Sequence, residues 1–305
     1  SQRPLHRIHR VLRPGDPAAQ VLARIEEAID EVAAADPRPL LGIGVGVPGS
    51  IDPVTKVAVD YPFIPGWNNV ALGERLSRRF GVPLALENNI RSMAMAELWF
   101  GAGRGLRNFV CVGIRSGIAA GVLVNGVLLR GARHRAGEIG HWVCPVPAEL
   151  AGDDRPAGRN GPWRWRAEAR LEHVASLSAL VVTAQRALRA GSKSSLAGIE
   201  GPLVIDDVLA AARDGDELAL SVVRAAGRVH GWVAHQLNEL FNPEKIIFAG
   251  PLADLGEPFL TPLREAARGF SEAGGEPAVV SSTLGQFSGA IGAAALAMHE
   301  WKPKR

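Results

Sequence analysis

Residues 109–131 read FVCVGIRSGIAAGVLVNGVLLRG, the strongest β signal in the chain. Two apolar runs flank Arg115-Ser116-Gly117, and Asn125-Gly126 separates the second from a third. Branched apolar side chains suit a pleated, buried surface. Asn-Gly between apolar runs marks a two-residue type I′ hairpin. A chain built on this stretch must form a sheet, and the elements around it decide which kind.

Those elements alternate. Asp16-Pro17 is predicted as an N-cap and first helical residue. Leu22, Ile25, Ile29 and Val32 follow at helical spacing, so residues 17–35 are expected as an amphipathic helix. LLGIGVGV (residues 40–47) is apolar on both faces, as in a strand buried within a sheet, and it ends at the Pro48-Gly49 turn. PLALE (residues 83–87) is a second such strand, followed by a helix to Gly101. Residues 146–159, rich in Gly, Pro, Asp and Arg, are expected as an exposed loop. Helices are expected at 167–189 and 216–240, the second stopped by Asn242-Pro243. The strand KIIFAG, the strand AVVSS (residues 278–282) and a closing helix at 286–299 complete the pattern. Strands alternating with helices make the chain α/β.

With 305 residues, 47% of them apolar, the chain is long enough for one large domain or two ordinary ones. No run approaches the ~20 apolar residues that cross a bilayer, and no charged-then-apolar leader opens the sequence, which predicts a cytoplasmic protein without a membrane partner. Two cysteines, Cys111 and Cys144, support neither a disulfide framework nor a thiolate zinc site and read as buried small hydrophobes. The net charge of +3 is scattered except at RPLHRIHRVLRP and WKPKR, which read as solvated tails. Nothing in these residues has the pattern of a helix-turn-helix or a zinc finger, so the chain alone is no sequence-specific DNA reader.

Four separated pieces carry polar chemistry: GVGVPGSID, LENNIRSMAMAE, GARHRAGEIGHW and RLEHVAS. Singly each is weak, because Pro-Gly is a turn, Asn at a helix start is a cap, and a lone Glu or His is usually a surface group. Together, in order, they resemble the ROK family (repressor, open reading frame, kinase). GIGVGVPGSID is similar to its strand-to-turn motif, IPGWNNVALGERLSRRFGVPLALEN to its approach to the active site, and RAGEIGHW to the family signature. NPEKIIFAGPL with GAIGAAALA is similar to its C-terminal strand and helix. The resemblance covers nearly the whole chain.

It implies a two-lobed fold of the actin and sugar-kinase type (ribonuclease H-like) around a central cleft. The smaller α/β lobe would take residues 1–90 plus 287–305 and the larger 91–286, with a homodimer or higher homo-oligomer formed through the larger lobe. The resemblance carries sugar contacts onto Asn88, Glu138, His141 and Glu172, with Gly49 and Ser50 as further candidates. Two carboxylates, an imidazole and an amide suit a pyranose, whose hydroxyls both donate and accept.

Three positions depart from the family. The catalytic base is the Asp after the family's Asn, and here that residue is Asn89. An amide has no useful basicity near pH 7, and losing such a base costs about 10²–10⁴ in rate, while the amide can still hydrogen-bond the same hydroxyl. The alternative is that Asn89 is the helix N-cap. On the nucleotide side, which also includes Gly250, the family's Gly-Thr-Gly phosphate turn is Arg115-Ser116-Gly117. Arginine would crowd that turn, although it can also bind phosphate. Where many relatives bind zinc through cysteines, this chain has Trp163, Trp165 and Arg170, none of them a thiolate ligand, so no metal or other cofactor is expected.

Two functions follow from the resemblance. One is a sugar-sensing effector domain of a transcriptional regulator, with DNA bound only through a helix-turn-helix upstream of residue 1. The other is an ATP- and Mg²⁺-dependent hexose or N-acyl-hexosamine kinase with altered groups, and a stand-alone carbohydrate-binding protein is a third possibility.

Overall fold

A computed structural model of the chain describes residues 5–13, 15–150, 165–271 and 275–300. In chain order the protein runs α1 (Ala18–Ala34), β1 (Ile43–Val47), β2 (Ser50–Asp52), β3 (Val57–Asp60), β4 (Asn68–Val70), α2 (Leu72–Phe80), β5 (Leu84–Asn88) and α3 (Asn89–Phe100). Then follow β6 (Phe109–Ile114), β7 (Ile118–Val124), β8 (Val127–Leu128), β9 (Val143–Pro147), β10 (Trp165–Arg170), α4 (Leu171–Ala175) and α5 (Leu177–Arg189). Finally come α6 (Ile205–Arg213), α7 (Glu217–Phe241), β11 (Lys245–Ala249), α8 (Glu257–Phe270), β12 (Val279–Ser281) and α9 (Ser288–Glu300). No helix among the described residues is long and apolar enough to cross a membrane.

The chain divides into two compact units. One comprises Ser1–Trp99, Arg130–Arg135 and Phe287–Arg305; the other comprises Phe100–Leu129 and Ala136–Gln286. A boundary near residue 90 is therefore too early, and the excursion of Arg130–Arg135 into the first unit has no local sequence signal. α3 falls in the first unit because its residues from Ile90 to Glu97 are all buried, and its backbone meets the closing helix directly. A side chain at Gly292 of α9 would overlap the Ser92 carbonyl of α3, and one at Gly44 of β1 would overlap the Ala293 backbone. Bare backbone is what lets α9 lie against both β1 and α3. β1 and β5 pair in parallel with Val47 opposite Asn88, which places the end of β5 and the start of α3 beside the turn after β1. β2, β3 and β4 form a separate antiparallel sheet.

In the second unit a five-stranded sheet is ordered β12-β11-β6-β7-β8, parallel for β12, β11 and β6 and antiparallel beyond. β6 is buried along its whole length, as the two-sided apolar run requires. Asn125 and Gly126 both take positive φ, +53° and +79°, the type I′ hairpin that their sequence specifies. Asp216 caps α7, accepting the Ala219 N–H at 3.0 Å, and Asn242 ends that helix in the left-handed conformation.

The expected helix at 167–189 is corrected. Residues 165–170 form β10, paired antiparallel with β9, and Ser176 breaks the remainder into α4 and α5 by capping α5 through the Ala179 N–H. Pairing with a distant strand overrides the local helical pattern. β9 also takes the first residues of the expected loop, and the rest of that loop, Trp163 and the WKPKR end lie outside the described residues. At α1 the N-cap position belongs to Pro17, while the Asp16 carboxylate accepts from the Arg13 N–H and Arg24.

His230 of α7 lies wholly buried against Phe248 and Phe259. Its Nε2 faces the Ala175 carbonyl at 3.1 Å, and its Nδ1 has no partner among the described residues. Burial pushes its pKa down to about 4. The unfolded chain then takes up a proton between pH ~6.5 and ~4 that the folded chain refuses, so stability falls as pH is lowered through that window. The full effect is on the order of 3 kcal/mol. Urea midpoints followed from pH 7 to pH 4 are expected to drop less steeply in His230→Phe than in the wild type.

Candidate functional site

In the first unit the Asn88 side chain joins three elements. Its carbonyl oxygen accepts the backbone N–H of Ile90 at 2.9 Å and of Arg91 at 3.3 Å, and its amide donates to the Gly49 carbonyl at 3.1 Å. Asn88 is thus the cap of α3, a role the sequence offered to Asn89. Asn89 is the first helical residue, half-buried, and its amide makes no hydrogen bond among the described residues. Gly49 has φ +77°, and a side chain there would strike the Asp60 carbonyl. Ser50 opens β2 opposite Asp60 and is half-buried.

Beneath this junction lies a charged hub that the sequence reading missed. Glu87 is only 1% exposed and Arg91 2%. One Glu87 oxygen accepts from Arg91 Nε at 2.7 Å and from the Asn88 N–H at 2.8 Å; the other accepts from Arg130 Nε at 2.7 Å. Arg91 also donates to the His134 carbonyl at 3.0 Å. Its one local signal was charge at i and i+4 inside an otherwise apolar junction. His134 Nε2 stands 4.0 Å from Asp52, whose carboxyl is held below its ordinary range by the Thr55 hydroxyl and the Thr55 and Val54 N–H groups.

In the second unit the β9–β10 ladder brings the signature histidine to the distant glutamate. Val143 pairs with Arg170, and the Leu171 N–H donates to the Trp142 carbonyl at 2.8 Å. Stepping one residue further along each strand sets His141 beside Glu172. His141 Nε2 lies 3.9 Å and His173 Nε2 3.8 Å from the same Glu172 oxygen. These separations exceed hydrogen-bond length, so the carboxylate keeps its acceptor capacity. Glu138, next to the 3₁₀ turn Ile139–His141, is half-buried, and its carboxylate makes no hydrogen bond among the described residues. His173, adjacent to Glu172, was not singled out from the sequence. The Glu172 carboxylate and two imidazoles form a set able to donate to and accept from a polyhydroxylated ligand.

At the turn between β6 and β7, the Arg115 N–H is spent on the Gly117 carbonyl at 2.8 Å, and the Arg115 carbonyl accepts the Leu177 N–H. Burial lowers the Arg115 pKa, opposed by the Asp254 carboxylate, whose own pKa burial raises. Ser116 is exposed. Gly250 takes φ +116° where it closes on the Ile114 carbonyl.

The residues present do not fit zinc. Arg170 lies in β10, Cys111 and Cys144 are wholly buried, and burial drives the Cys144 thiol up to about 12, far from the thiolate a metal needs. Among the described residues no three His, Cys, Asp or Glu side chains are grouped to hold a metal ion.

Residues 3–300 match the ROK family. The chain belongs to that family. Its ROK relatives include the glucokinase of Thermotoga maritima, 34% identical over 90% of this chain and 84% of the kinase. They also include the DNA-binding transcriptional repressor Mlc of Escherichia coli, 32% identical over 70% of this chain and 49% of the repressor. The chain spans about half the length of that repressor. A ROK family glucokinase from Streptomyces griseus, solved with glucose and AMPPNP, superposes with a TM-score of 0.77 at 26% identity over 94% of this chain and 90% of that one. The chain therefore has the α/β ROK sugar-kinase fold, which enzymes and repressors share.

Asn88→Ala removes both the cap and the tie to Gly49. It is expected to cost about 1–2 kcal/mol, read as a lower thermal midpoint, and Asn88→Asp, which keeps the capping oxygen but turns a buried carboxylate onto the Gly49 carbonyl, is expected to lose at least as much.

Proposed function

We propose that this ROK protein is a sugar-sensing effector domain that binds a hexose or hexose derivative without phosphorylating it. The observation that carries the proposal is Asn89. It stands at the family's catalytic-base position with an uncharged amide that no protein group engages among the described residues. Such an amide holds a hydroxyl but takes no proton from it. The spent N–H of Arg115 supports the same conclusion, because a phosphate turn works through free backbone donors. Glu138, His141 and Glu172 supply the sugar-binding groups of the second unit, with His173 added beside them. Asn88 contributes by fixing the junction that presents Asn89.

A regulator of this kind contacts DNA through a helix-turn-helix outside these residues and works as a cytoplasmic homodimer. Its sugar acts only through a difference in affinity between two states of the protein. The kinase is the second reading, favoured by the alignment over 84% of the Thermotoga maritima glucokinase. It would need ATP and Mg²⁺ and a proton acceptor other than residue 89.

Calorimetry against a panel of hexoses and N-acyl-hexosamines, paired with an ATP-consumption assay, separates the two. Sugar binding without turnover is expected, and Glu138→Ala is expected to weaken it about 100-fold. Undiminished affinity in that variant would remove the site assignment. Sugar-dependent turnover at about 1–100 s⁻¹ would replace the regulator with the kinase.

A further inference from the structure

We propose that Glu87, Arg91 and Arg130 form a positioning hub that sets the carboxylate of Glu138 through the segment Arg130–Arg135. This deepens the sugar-binding proposal above and rests on it for its functional consequence. The segment leaves the second unit after Leu129 and returns to it at Ala136. Along its length it is tied to the first unit at both ends. Arg130 donates to the buried Glu87 at 2.7 Å, and the His134 carbonyl accepts from the buried Arg91 at 3.0 Å. Both ties meet in one residue, because Arg91 is itself held by Glu87.

Three residues past this tie, the chain is fixed again. Gly137 takes φ +90°, its carbonyl accepts the Ala120 N–H at 2.7 Å, and a side chain there would overlap the Ala120 carbonyl. Glu138 follows at once, and no side-chain hydrogen bond among the described residues holds its carboxylate in place. Its placement follows from the backbone on both sides: the Glu138 carbonyl accepts the His141 N–H at 3.4 Å, and on the N-terminal side the chain runs back through Gly137 to the hub. That backbone is anchored by charge-assisted bonds, the stronger kind, from Arg130 to Glu87 and from Arg91 to the His134 carbonyl. The same Glu87 also accepts the Asn88 N–H, so one carboxylate steadies the junction before Asn89 and the segment before Glu138. Arg130 and Glu87 are therefore positioning residues; they act through Glu138 and touch no ligand themselves.

Arg130 is one-third exposed, so it can be changed with less risk to folding than Glu87 or Arg91. In Arg130→Gln, amide hydrogen exchange of the peptide spanning 130–138 is expected to quicken about tenfold in the protein without sugar. Affinity for the sugar that binds the wild type is expected to fall about tenfold, with the thermal midpoint little changed. Arg130→Lys, which keeps the charge, is expected to recover most of both losses. The proposal is overturned if exchange quickens with affinity intact, if affinity falls with exchange unchanged, or if Lys rescues neither. Should the wild type bind none of the sugars, the sugar-binding proposal fails separately. The exchange arm then decides the anchoring alone, with faster exchange at 130–138 in Arg130→Gln supporting it and unchanged exchange refuting it.

Discussion

A carboxylate with almost no access to water holds the first unit's polar architecture together. Glu87 lies one residue before the end of a buried strand that turns into α3, and there it receives two guanidinium groups and a backbone N–H. An ion buried this deeply is tolerable only when it is paired and hydrogen-bonded. The demand is met by one arginine a helical turn away and another 43 residues downstream. A segment that by sequence lies between two parts of the second unit is thereby drawn into the first. The polar groups that follow Glu87 are orderly as a result: Asn88 is consumed as a cap, and the Asn89 amide is unclaimed among the described residues.

The second unit solves a similar problem with backbone. His141 and Glu172 are far apart in sequence and are brought within 3.9 Å by the β9–β10 ladder and the Trp142–Leu171 bond that extends it. A strand pair fixes register by its hydrogen bonds, so the position of Glu172 relative to the signature histidine follows from pairing. The carboxylate remains outside hydrogen-bond range of both neighbouring imidazoles. A sugar hydroxyl would find acceptors and donors still unspent.

Much of this was legible in the chain. The apolar run at 109–131 specified two long strands, and Asn125-Gly126 specified the hairpin between β7 and β8, because side-chain period and turn chemistry act over a few residues. The capped helix α7 and its Asn242 stop were visible for the same reason. Residues 167–170 of β10 carry a local helical pattern, and the partner strand that overrides it is not visible from the sequence. Asn89 was offered a capping role that belongs to Asn88, a choice made by where β5 ends against β1. Of the polar cluster, His141 and Glu172 were found through motif, whereas His173, Arg91 and Arg130 were not, because nothing local distinguishes a hub arginine from a surface one.

By itself, then, the sequence determined the α/β alternation, the main strands, the family motifs and the neutral chemistry of position 89. These are properties of covalent identity and short-range periodicity, and no packing arrangement alters them. Only the tertiary structure decided which asparagine is consumed as a cap, which arginines neutralise Glu87, and which residues flank Glu172. Those outcomes depend on burial and on partners distant in the chain. The strength of a charge or hydrogen bond is set by the water excluded around it, and that exclusion exists only after the chain has folded.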